Sequence, residues 1–276
     1  MSRLLSANLA RLKKNMLFWV ALVLMAAISL FTMTMYIFQS KEWAIYGEEL
    51  YFDSCYFVLS PFIGLFITVV IVFFLGVDYS DGTIRNKITA GHTRTEIYSA
   101  NFIICILVSA LFNAVWLAGG LIGLPFMECE QEIGQMLLYT LTSFFFSFST
   151  GAIAAMIGML ISNKASSATT AILQFFGLLM VTSYIILQLD EPEMIQYMQM
   201  TDEGMQMVGP VTNPQYIGGA LRVVLECVVN TLPSGQAVML SNMELEHTVF
   251  DIVVSAFLTV IVSAIGLLIF NKKDIR

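Results

Sequence analysis

The chain has 276 residues, 58% of them hydrophobic and only 12% charged, with a mean hydropathy of +0.80. A soluble domain carries about 25% charged residues, so this composition excludes that class and points to an all-α integral membrane protein built as a single domain over 1–276. The net charge of −7 is not uniform, because the two signs occupy different loops, and no basic face or stacking motif marks a nucleic-acid partner.

Residues 1–15 put Leu4, Leu5, Leu9 and Leu12 on one helical face and basic residues elsewhere. This is the pattern of an amphipathic helix lying in a membrane interface; a basic flank that only sets topology is the plainer alternative. Six apolar runs follow, at about 16–38, 56–77, 97–124, 135–161, 165–189 and 249–270. Each exceeds the roughly 20 helical residues that cross a hydrocarbon core about 30 Å thick. The first is too long for the apolar part of a signal peptide and no A-x-A-like cleavage site follows it, so it is expected to stay as a signal anchor. The loop 39–55 is short and acidic. Pro61 stands near the start of the second run, where a helix start or a kink is tolerated.

The polar segment from Asp78 to Glu96 separates the second and third runs. Its order of residues predicts structure rather than a solvated linker. Asp81 is placed to N-cap a short helix beginning at Gly82. Ile84 and Ile88 fall four residues apart, on one face of that helix. Gly91 supplies a left-handed stop, and Thr93 with Glu96 forms a T-x-x-E capping box ahead of the next run.

Farther along, Glu128, Glu130 and Glu132 alternate in the segment 125–134, read as a solvated anionic loop with a cation site as the sharper alternative. The fourth run is rich in small and hydroxyl residues. Its pairs Gly151/Ala155 and Ala154/Gly158 suit close helix packing in lipid. A hydroxyl strip of Thr140, Ser143, Ser147 and Thr150 lining a substrate path is the alternative. The turn Ser162-Asn163-Lys164 is so short that runs four and five must be antiparallel neighbours. In the long segment 190–248, Ile217, Leu221, Val224, Leu225, Val228 and Leu232 share one face. They predict a helix resting on or dipping into the membrane, too short and polar to be a seventh span and broken by Pro233-Ser234-Gly235. Cys55, Cys129 and Cys227 lie at or near the same side and Cys105 in the third run; an oxidising outer face permits a disulfide, but the spacing shows no metal motif.

Orientation follows from Lys and Arg. Arg3, Arg11, Lys13, Lys14, Arg85, Lys87, Arg94, Lys164, Lys272, Lys273 and Arg276 fall on one side; only Lys41 and Arg222 fall on the other, where most acidic residues lie, Glu130 and Glu203 among them. Both termini are therefore expected to be cytoplasmic, in a multi-pass protein of the cell membrane. No GxxxxGK[ST], HExxH or GxSxG motif is present, so no nucleotide is expected on this chain and no catalytic residue is assigned. Within the run boundaries given above, the only ionisable carboxylate or base is Asp251, which disfavours a proton relay.

The segment Asp78-Tyr-Ser-Asp-Gly-Thr-Ile-Arg-Asn-Lys-Ile, with Gly91-His-Thr-Arg94 after it, resembles the acidic-x-x-x-Gly-Thr-basic and Gly-x-x-Arg signature of type-2 ABC exporter permeases, the type V exporter fold. The motif covers about 17 residues of this chain; the layout of basic N-terminal helix, six spans and a helix on the outer side between spans five and six is similar over the whole chain. The resemblance implies that the segment is a coupling helix docking on a separate ATPase. Asp78, Asp81, Gly82, Thr83, Ile84, Arg85, Lys87, Ile88, Gly91 and Arg94 would form that contact, Arg85 and Arg94 through charge and Ile84 and Ile88 in an apolar cleft of the partner. It further implies two permease chains, identical or paralogous, with two ATPase subunits that carry ATP and Mg²⁺, and an exported amphipathic or antimicrobial peptide, drug or lipid. The competing classes are a secondary transporter and a membrane-embedded enzyme or sensor without an ATPase. A secondary transporter predicts charged spans and an inverted repeat, and an enzyme predicts polar groups converging at one depth.

Overall fold

The computed structural model describes residues 1–201, 204–245 and 247–273; Glu203, Asp274 and Arg276 lie outside them. The element order is α1 (Ser2–Lys13), α2 (Met16–Ile45), α3 (Phe52–Tyr56), α4 (Ser60–Ser80), α5 (Thr83–Thr89), α6 (Arg94–Gly120), α7 (Ile133–Leu160), α8 (Lys164–Leu189), β1 (Met194–Thr201), β2 (Gly204–Thr212), α9 (Gly219–Thr231), α10 (Pro233–Ser241) and α11 (Thr248–Lys272). Among the described residues, six stretches are long and apolar enough to cross a membrane: α2, α3 joined with α4, α6, α7, α8 and α11. This is the count that the apolar runs predict, and every one of these spans extends past its run into flanking residues at one end or both.

Local sequence sets several of the helix starts. The Asn15 side chain accepts from Phe18 N at 3.1 Å, and that of Asn163 from Ser166 N at 3.0 Å. Thr93 and Glu96 make the reciprocal capping box, which satisfies two amides that a helix leaves unpaired. Pro61 stands in the first turn of α4, where its missing N–H costs no bond. Buried Asp53 in α3 accepts from Glu130 N at 3.4 Å and Gln131 N at 3.1 Å, which pins the loop ahead of α7.

α7 is the centre of the bundle, packed by α4, α6, α10 and α11. Its small residues allow this. A methyl group on Gly151 would come within 2.1 Å of Ser109 Oγ on α6, and one on Gly158 within 2.9 Å of Leu75 Cδ1 on α4. α2 and α11 present continuous apolar flanks outward, including Val23, Phe31, Val253 and Phe257, as lipid-facing helices do.

The segment after α8 departs most from expectation. It begins with an antiparallel ribbon of β1 and β2, which the helix-only reading omits. α9 is the amphipathic helix, but the residue it buries best is Val229, while Leu221 and Val224 on the predicted apolar face are 58% and 57% exposed. The chain then bends by 93° into α10. Pro233 does not end the helical region; it starts α10, which is buried among α4, α7 and α8 through Pro233, Gly235, Ala237 and Leu240. Gln236 makes this burial tolerable. It is fully buried, donates to Asn230 O at 2.6 Å and Asp251 O at 3.2 Å, and accepts from Ser255 Oγ at 2.6 Å.

Candidate functional site

The end of the bundle that carries the basic residues is organised around Asp78, the third residue from the end of α4 and 0% exposed. Its carboxylate is paired with the Arg11 guanidinium from α1. Lys87 Nζ from α5 lies 3.4 Å from each oxygen. Thr83 Oγ1 donates to Oδ1 at 2.5 Å, and Asn101 Nδ2 from α6 donates to Oδ2 at 3.3 Å. Asn8 closes the ring: it donates to Asn101 Oδ1 at 2.6 Å and accepts from Lys87 Nζ at 3.3 Å. The Arg11 guanidinium also lies 3.9 Å above the Phe74 ring. One buried carboxylate therefore holds two cations and joins α1, α4, α5 and α6. Burial pulls the Lys87 ammonium below its ordinary value; Asp78 opposes that shift and Arg11 adds to it.

α5 is framed by two left-handed glycines, Gly82 with φ 64° and Gly91 with φ 89°. Neither would meet another atom if given a side chain, so glycine is required there by backbone conformation alone. Gly91 N donates to Ile88 O at 2.9 Å and His92 N to Lys87 O at 3.2 Å, the double closure of a Schellman-type end. The predicted stop is therefore observed. The predicted start is not. Asp81 follows the last turn of α4, Gly82 occupies the N-cap position, and no side chain caps α5. Thr83 uses its hydroxyl on Asp78 instead, because a buried carboxylate is the stronger acceptor.

The ten residues expected to contact a partner thus divide into two groups. Asp78, Thr83 and Lys87 are engaged inside the chain. Ile84 is 1% exposed and the partly buried Ile88 packs against the same core. Arg94 is also engaged internally: Nη1 donates to Asn271 O at 3.0 Å, to Phe270 O at 3.5 Å and to Lys273 O. It thereby caps the carbonyl end of α11, where a cation is favoured. Arg85, with Asn86 and Thr89, forms the exposed side of α5, and Arg85 has no ion-pair partner among the described residues. Beside it, Tyr79, Ser80, Asp81 and Gly82 border an open cleft of about 260 Å³. Asn8 and Asn101 escaped notice in the sequence. The signal was there, since each is an amide set among the leucines and isoleucines of an otherwise apolar helix face.

The same end is tied together by a second set of contacts. Lys273 Nζ donates to Tyr79 Oη at 2.8 Å, and Tyr79 Oη donates to Met159 O at the end of α7.

In the hydroxyl strip of α7, Thr140 and Thr150 are half-buried. Ser143 and Ser147 are fully buried. Ser143 Oγ donates to Thr140 O at 2.7 Å and accepts from Asn113 Nδ2 of α6 at 2.9 Å. Thr150 donates to Phe146 O at 2.9 Å and borders a narrow cavity with Ser60, Gln174 and Ser234. At the opposite, acidic end, Asp190, Arg222, Glu226, Asn230, Glu244 and His247 border a polar cavity of about 290 Å³ under α9. The four cysteines are unpaired, Cys55 and Cys105 buried and Cys129 and Cys227 exposed. No protein-family model matches the chain, and no curated protein matches it.

Proposed function

We propose that this chain is the permease subunit of an ATP-driven exporter in the cell membrane, with both termini and α5 on the cytoplasmic side. The observation that carries the reading is α5 itself. It is a two-turn helix fixed at both ends, rooted through Asp78 in α1, α4 and α6, and presenting Arg85, Asn86 and Thr89 to solvent. A helix held in this way passes a push on its exposed side directly to the ends of two long apolar helices. A separate ATPase, supplying ATP and Mg²⁺, would deliver that push; two permease chains with two ATPase subunits complete the proposed assembly. The sequence likeness of the Asp78–Arg94 segment to exporter permeases supports the same reading. The proposed cargo is an amphipathic peptide, drug or lipid.

The docking surface of this reading is the exposed side of α5, with Arg85, Asn86 and Thr89, and the neighbouring Asp81. Losing one charge-assisted contact costs on the order of 1.5–3 kcal/mol, roughly a ten- to hundredfold weakening. The test is Arg85→Glu, made in the permease co-expressed with a P-loop ATPase encoded by a neighbouring reading frame. The variant is expected to insert and purify as the parent does, because exposed substitutions change stability by about 0.5 kcal/mol or less. It is expected to lose co-elution of the ATPase, or ATP-driven export. Normal association together with normal export would remove α5 from the mechanism.

A further inference from the structure

The cavity of about 290 Å³ under α9 lies where α8 ends and α11 begins, at the level where two apolar spans give way to polar chain. Part of its lining is apolar: Ile186 and Leu189 of α8, Val229 of α9 and Met239 of α10. The rest is polar, and its charges do not cancel. Arg222, the one lysine or arginine in the lining, donates to Glu226 at 2.8 Å. Asp190 and Glu244 have no ion-pair partner among the described residues. Another carboxyl stands behind the lining. Asp251 is 1% exposed, and its Oδ1 has no hydrogen-bond partner among the described residues. It lies one helical turn past His247, whose carbonyl accepts from Asp251 N at 3.0 Å. The Asp251 carbonyl also shares the Gln236 amide with the carbonyl of Asn230. His247 and Asn230, which both border the cavity, thus tie this buried group to it.

We propose that the cavity binds a primary ammonium group carried on an apolar arm. On the exporter reading given above, on which this step rests, the cargo is then a cationic amphiphile. An ammonium has three donors and no acceptor, which suits the unpaired carboxylates of Asp190 and Glu244. Charge-assisted bonds of this kind are the strong ones, and opposite charges attract more in a partly enclosed site than in water. The apolar arm would cover Ile186, Leu189, Val229 and Met239. An anionic head group would be repelled by the same carboxylates, and a neutral one would leave them without a cation. A bare divalent ion needs several oxygen ligands at once. Among the described residues, no group of three His, Cys, Asp or Glu side chains is placed to hold a metal.

The test uses the full chain in phosphatidylcholine nanodiscs, with isotope-labelled methyl groups on methionine. Met239 borders the cavity, and Met239→Leu identifies its signal. Octylamine is titrated beside octanol and octanoate, which have the same chain length, and empty nanodiscs measure partition into lipid. The expected result is a saturable shift of the Met239 signal with octylamine that weakens as salt is raised. Octanol and octanoate should give none at the same concentration. Asp190→Asn with Glu244→Gln should weaken octylamine binding at least about tenfold. Both residues are exposed, so this variant should fold as the parent does. The comparison of the three probes needs no variant and stands even if the double change folds poorly. An equal response to octanol, a saturable response to octanoate, a silent Met239 or unchanged affinity in the double variant would each overturn the proposal. Binding is read without an ATPase, and Arg85→Glu should leave it intact. Loss of this site and loss of the exporter reading are therefore separate results.

Discussion

Asp78 holds Arg11 and Lys87 where neither reaches bulk water freely. Removing one partner from a buried ionic cluster costs about 3–5 kcal/mol, chiefly because the charge left behind has no compensation. Asp78→Asn leaves two such charges facing a neutral amide, so its thermal unfolding in detergent should fall well below the parent's, or the protein should fail to accumulate. Lys87→Met should be milder, because Arg11 still neutralises the carboxylate and a similar stem still fills the space. Equal losses from the two changes would show that the cluster is not organised around the carboxylate. The sequence pointed to Asp78 and Lys87 as partner contacts, and within this chain the two pair with each other, Asp78 also with Arg11 and Lys87 also with Asn8. Spacing along one helix shows which residues share a face; it does not show whether that face is covered by the same chain. Arg94 illustrates the point, since its acceptors at Phe270, Asn271 and Lys273 lie 176 to 179 residues away.

At the level of elements, the helices with their own end signals were the ones legible beforehand. α5 was read from Gly91, α6 from Thr93 and Glu96, and the α7–α8 turn from its length. The elements that were missed depend on distant partners. α10 is short and contains Ser234, Gly235 and Gln236, and its place in the core rests on Gln236 finding acceptors on Asn230 and Asp251 and a donor on Ser255. Gln236→Leu removes the amide and strands the Ser255 hydroxyl, a loss of about 1–3 kcal/mol for each buried group left unsatisfied. It should loosen α10, read as faster amide exchange in 233–241, while α5 and α6 keep their protection. The bracket of α5 has its own test. Asparagine tolerates the left-handed region and a β-branched residue does not. Gly82→Asn should therefore keep the amide protection of α5, and Gly82→Val should lose it, with about 1–2 kcal/mol of strain at that residue. Comparable protection in both would mean that α5 does not need its left-handed start.

On the scale of the whole molecule, charge asymmetry and contacts agree on which pieces share one end of the bundle. Arg11 reaches Asp78, Arg94 reaches the end of α11, Lys273 reaches Tyr79, and Lys164 Nζ lies 5.7 Å above the Phe73 ring. Basic residues are retained on the cytoplasmic side during insertion, so this end is proposed to face the cytoplasm and the acidic loops to face out. Lys164 itself is a poor reporter, because its stem packs against Gly76. Ser162 in the adjoining turn, Lys14 after α1, and Glu130 ahead of α7 are exposed and suit single-cysteine labelling in a background lacking Cys129 and Cys227. In intact cells an impermeant maleimide should label Glu130→Cys, and should label Ser162→Cys and Lys14→Cys only after permeabilisation. Two reporters on the same end guard against one local failure. Labelling of both from outside, with Glu130→Cys protected, would invert the molecule. It would place α5 where no ATPase could reach it, so the outcome bears on the proposed coupling as directly as on the topology.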